Sequence, residues 1–132
     1  MFIKKAIPYV RLVPIIVRDD ATNVRIDALA QEISRIPGPM LVIGSFDFTH
    51  DATNAIARAN DMRSLRILER GNVRDATDIV IDSKPGIRLL MQVAQIRTIR
   101  FSMMDMSNSA QLLHDYSRTD VTSYITGIWE SK

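Results

Sequence analysis

Leu41-Val-Ile-Gly-Ser-Phe-Asp-Phe-Thr-His50 decides how this chain reads. Its apolar start, over residues 40–45, has the length and continuity of a strand buried on both faces in a parallel sheet. The polar cluster that follows, Ser45, Asp47 and His50, then falls beyond the carboxyl end of that strand, where α/β sheets bind ligands. Asp47 and His50 form a candidate catalytic pair, in which the carboxylate fixes the imidazole tautomer and the imidazole moves a proton or touches a metal. The alternative is structural, with Asp47 capping the next helix and His50 a packing residue.

Working outward, residues 10–17 are a β-branched run whose Pro14 cannot donate to a ladder, which suits an edge or a bulge. Residues 23–36 place Val24, Ile26, Leu29, Ala30, Ile33 and Ile36 close to a helical period, with Thr22 or Asn23 as N-cap and Pro37-Gly38-Pro39 as a stop. Strand, helix and strand in succession predict a right-handed parallel β-α-β unit. A second helix is expected over residues 52–70, closed by Gly71-Asn72, and a third over 85–96, opened by Pro85. Residues 77–81 are ambiguous between helix and strand. Residues 99–106 and 121–129 read as two further strands, the second alternating Val121, Ser123, Ile125, Gly127 and Trp129 on one side, joined by a polar loop over 107–120. In the first of these, alternation predicts Met104 and Met106 on one side, as adaptable core or interface filling. The sum is one α/β domain over residues 1–132, a layered α/β/α sandwich with a mixed, partly parallel sheet.

The segment ending in Ser45-Phe-Asp-Phe-Thr-His50 resembles one in the Memo family, also called protein B of the AmmeMemoRadiSam system. Other fragments are similar in the same order. They are Ile7-Pro-Tyr and Leu12-Val-Pro-Ile-Ile-Val17, Asp61 on the following helix, Met106-Ser-Asn-Ser-Ala110, and Ser123-Tyr-Ile-Thr-Gly127. The resemblance implies the fold of class III extradiol dioxygenases and covers the second half of the family's usual length. It puts Asp47 and His50 forward as catalytic residues and Ser45, Asn108 and Ser109 as ligand-binding residues. The family's metal-binding histidines belong to its first half, and its ligating Cys aligns near Ile81, which cannot bind a metal. The resemblance therefore implies no metal site in this chain alone. A half-sheet exposes backbone groups and apolar surface that need cover. A homo-oligomer, first of all a dimer, is the leading expectation. The rival is a separate N-terminal-half subunit, which would complete a dioxygenase-like oxidoreductase using iron, copper or zinc. The leading function is that of a binding or assembly module without the metal centre, presenting its cleft to a small anionic or aromatic ligand.

Composition narrows the rest. A hydrophobic fraction of 46% over 132 residues suits a folded chain with a real core. The absence of cysteine excludes disulfides, thiolate catalysis and Cys-based metal sites. A net charge of +2 is too small to argue for nucleic acid. No apolar run is long enough to span a membrane and no signal-peptide pattern is visible, so a cytoplasmic protein is expected. Arg63, Arg66 and Arg70 share a helix face, read either as a solvated stripe paired in part with Asp61 and Glu69 or as an anion site. His114, beside Asp115, reads as a plain surface histidine.

Overall fold

The computed structural model describes residues 2–131. A short helix, α1 (Phe2–Ala6), precedes three longer ones. Helix α2 (Asn23–Arg35) begins where Thr22 Oγ1 accepts the Arg25 N–H, and it buries Ile26, Ala30 and Ile33, spaced four and three residues apart. Helix α3 (Asn54–Arg70) is capped by Thr53 and closed by Gly71, whose φ of 69° lies in the left-handed region that glycine adopts without penalty. A 3-10 helix, Val73–Asp78, then turns the chain into α4 (Lys84–Arg97), with Ser83 as N-cap and Pro85 in the first turn. Thus the ambiguous residues 77–81 are the end of the 3-10 turn followed by irregular chain.

Two strands follow. β1 (Arg100–Asn108) and β2 (Ser123–Glu130) pair antiparallel, from Arg100 opposite Glu130 to Asn108 opposite Ser123. The four-residue α5 (Ser109–Leu112) opens the connection between them. The register slips at Met104, which has no partner. Met103 faces Gly127 and Met106 faces Ile125, so the bulge brings Met103 and Met106 to one side and leaves Met104 exposed. The expected pairing of Met104 with Met106 fails for that reason. At Gly127 an added Cβ would lie 2.2 Å from the Phe101 ring, so only glycine lets the aromatic lie across the strand.

The main core gathers Leu68, Ile79, Ile87 and Met91 from α3, α4 and the chain between them, with Phe101 and Trp129 of the hairpin packed at its edge. A second cluster joins α2 to α4 through Ile33, Leu89 and Val93. Arg88 reinforces this seam by gripping Asp27 with two nitrogens at 2.9–3.2 Å.

The structure is mixed helix and strand, but its two-stranded sheet is antiparallel. The anticipated parallel β-α-β unit is not formed among the described residues. Residues 10–17 and 40–45, both expected as strands, join no ladder, and no hydrogen bond engages the backbone of residues 11–17 or 39–46. Met40 and Val42 pack inward on the α2–α4 cluster while Leu41 and Ile43 point outward. That alternation is the period of a strand. Continuous apolar sequence signals burial on two faces, yet only one face finds cover here, and no neighbouring strand is at hand. Ile16 is 93% exposed and Val13 77%.

Candidate functional site

Residues 48–52 lie against the start of β2, held by backbone groups. The Phe48 N–H donates to Ser123 O at 3.0 Å, the Ser123 N–H to Thr49 O at 2.9 Å, and the Val121 N–H to Ala52 O at 2.9 Å. Underneath is a carboxylate. Asp61 falls on the buried stripe of α3, between Ala57 and Ser64, and is 2% exposed. Its Oδ1 accepts the Ser123 hydroxyl at 2.6 Å and the Thr49 hydroxyl at 3.2 Å, while Ser123 Oγ accepts the Thr49 N–H at 2.9 Å. Burial raises the Asp61 carboxyl above the usual carboxylate range, and the two hydroxyl donors oppose that rise. Asp61 therefore faces the core and takes no part in the arginine stripe, where Arg63 reaches Asp78 at 3.8 Å in an exposed pair of little energetic value.

Above this buried knot the loop displays His50 and Asp47. The His50 Nδ1 lies 3.3 Å from the Thr122 hydroxyl. Its Nε2 is 3.9 Å from an Asp47 oxygen, beyond hydrogen-bond range though close enough for attraction when the ring is charged. So Thr122 is the imidazole's hydrogen-bond partner, with Asp47 at ion-pair distance on the other ring nitrogen. Asp47 is not the cap of α3 either, since Thr53 fills that place; its carbonyl accepts the Asp82 N–H at 3.0 Å. Asp51, next to the histidine, carries a φ of 50°. Its cost of about 1–2 kcal/mol is offset by the bonds on either side that hold the loop.

Of the proposed ligand-binding residues, Ser45 is exposed in the unpaired segment. Asn108 is 1% exposed and committed internally: it caps α5 through a reciprocal bond with Gln111 and donates to Asn54 Oδ1 at 3.0 Å. The Ser109 hydroxyl accepts the Thr122 N–H at 3.1 Å. Both side chains are thus engaged by hydrogen bonds within the fold. His114 sits in an exposed turn with a φ of 52°. Among the described residues no three His, Asp or Glu side chains converge in a way that could hold a metal ion. The donor set of one chain thus does not fit iron, copper or zinc.

Thr49, Asn54 and Thr122 were not singled out from sequence. No local spacing marks them, because their partners lie 12 to 74 residues away. Asp61, read from sequence as a partner of the arginine stripe, is instead buried; the signal that marks it is its position four residues after Ala57 and three before Ser64, on the buried face of α3. Comparison with family models, curated proteins and solved structures returns no match. No helix among the described residues is long and apolar enough to cross a membrane.

Proposed function

We propose that this chain is a Memo-like half-domain that serves as an oligomeric binding or assembly module. The observation that carries the reading is the bare apolar chain over residues 11–17 and 40–45, whose backbone groups have no hydrogen-bond partner among the described residues. Each outward Val, Leu or Ile gains about 1.5–3 kcal/mol when covered. A second copy supplies both cover and backbone partners, most simply about a two-fold axis. In that assembly the two segments act as strands, and the layered α/β/α sandwich with a mixed sheet is completed between chains. Support for the ancestry is convergence. The fragments that carry the resemblance, around Thr49, Asp61, Asn108 and Ser123, meet at one end of the molecule through hydrogen bonds that span up to 74 residues.

Sedimentation equilibrium tests this reading. The expected result is a dimer or larger for the native chain, and a monomer with unchanged helical circular dichroism for the Ile16→Asp, Ile43→Asp double variant. A variant that keeps the native mass overturns it.

A second reading, an enzyme completed by another chain, is favoured by one feature: His50 and Asp47 stand exposed side by side, 3.9 Å apart. One chain lacks the donors for a metal, so no catalytic step follows from it alone. Metal analysis of the native assembly decides. Stoichiometric iron, copper or zinc lost in His50→Ala supports the enzyme, and an assembly without metal supports the module.

A further inference from the structure

At the end of the hairpin away from His50, a cavity of about 390 Å³ opens between the last turns of α3 and α4 and the outer ends of β1 and β2. One wall is aromatic: the Phe101 and Trp129 rings lie 4.8 Å apart at 60°, held there by the pairing of the two residues across the strands and by the absence of a side chain at Gly127. Met91 and Ala94, both buried, provide apolar depth. Arg70 and Arg100 also line it, and neither meets a carboxylate within ion-pair distance among the described residues. Glu69 is the single acidic side chain of the lining.

These features select a ligand. An aromatic and thioether wall takes a flat apolar ring. The two helix C-termini, which would otherwise favour a cation, are blunted. The Gly71 N–H satisfies Ile67 O at 3.1 Å, and the Ile99 N–H satisfies Ala94 O at 3.0 Å. The lining sets two guanidinium groups, Arg70 and Arg100, against one carboxylate, Glu69, with Glu130 opposite Arg100 across the strands but outside the lining, so the lining carries a surplus of positive charge; arginine matches a carboxylate in geometry as well as sign. The volume lies at the small end of ligand pockets, enough for one ring and its acid group.

We infer that this cavity is a binding site for a small aromatic carboxylate, with the ring against Trp129 and Phe101 and the acid group held by Arg70 and Arg100. The site is separate from the His50 loop and does not depend on the ancestry proposed above. It assigns the ligand to the arginine-bearing ends of α3 and β1, where the helix stripe alone left a solvated face and an anion site both open.

Trp129 is the one tryptophan of the sequence, so its indole N–H gives a single reporter resonance. The experiment titrates the native protein with benzoate, benzyl alcohol and benzylamine and follows that resonance by nuclear magnetic resonance. Benzoate is expected to shift it saturably, with an affinity about tenfold or more above that of benzyl alcohol and with benzylamine weakest, since charge-assisted bonds to arginine separate them. In the Arg70→Gln, Arg100→Gln double variant, benzoate should fall to the level of the alcohol while the dispersion of the spectrum is kept. The inference is overturned by the absence of a saturable benzoate shift, by equal responses to the three probes, or by a benzoate preference that survives loss of both arginines.

Discussion

Residues 54–130 and residues 7–46 are built from similar apolar material and meet opposite fates. In the later region every strand has a partner, Asn108 opposite Ser123 and Arg100 opposite Glu130, and α3 and α4 close a shared core around Leu68 and Met91. In the earlier region only α2 folds onto that body, through Ile33 and the Asp27–Arg88 grip, while residues 40–43 lie on its surface with one face bare and residues 13–16 are exposed on both. The difference teaches that β propensity is a statement about neighbours. A run such as Ile15-Ile16-Val17 makes a strand only where another backbone stands about 5 Å away to complete its hydrogen bonds.

The contrast can be broken most strongly at the core. Leu68, 1% exposed in the main cluster, should cost about 2–5 kcal/mol when cut to alanine, measured by urea unfolding of the native protein. Asp61→Ala comes next. It leaves the Ser123 and Thr49 hydroxyls without their acceptor, so a loss of about 1–3 kcal/mol is expected, with faster amide exchange at Thr49 and Ser123.

Asp61→Asn sharpens the point, because the amide keeps an acceptor while removing the buried charge. A carboxyl raised in the folded state contributes stability that is fully present below the unfolded carboxylate value and is lost as pH rises through the folded one. The advantage of Asp61→Asn over the native protein should therefore grow from about pH 4 upward, where unfolded aspartate titrates. Unfolding curves across that range check the sign; a constant difference would mean that Asp61 carries no such penalty. Gly71→Ala should cost about 1 kcal/mol, since the site is open but its φ of 69° disfavours a side chain. Smallest of all, Ile16→Asp should change the stability of the isolated fold by less than about 0.5 kcal/mol, because the side chain is 93% exposed.

Much of this was legible beforehand. The helices announced themselves through period and caps, and their ends came within one or two residues because Thr22, Thr53, Ser83 and Gly71 have local partners. The hairpin was visible in the alternation of residues 121–129, while the bulge at Met104 was not, since one unpaired residue changes no composition. The loop bearing Asp47 and His50 was expected beyond the end of a parallel strand that does not form, and its closest side-chain partner could not be read from the sequence. Thr122 reaches His50 from 72 residues away. What failed was the parallel pairing expected of residues 10–17 and 40–45, because no local feature of a strand says whether a neighbour stands beside it.

Those same residues offer the most direct measurement. Amide hydrogen exchange over residues 11–17 and 40–46, followed at high and at low protein concentration, reads whether another chain completes them. The account predicts slow exchange at high concentration that becomes fast on dilution, with α3 and α4 protected throughout. Fast exchange of these amides at every concentration, in a chain whose mass stays that of one copy, would contradict it.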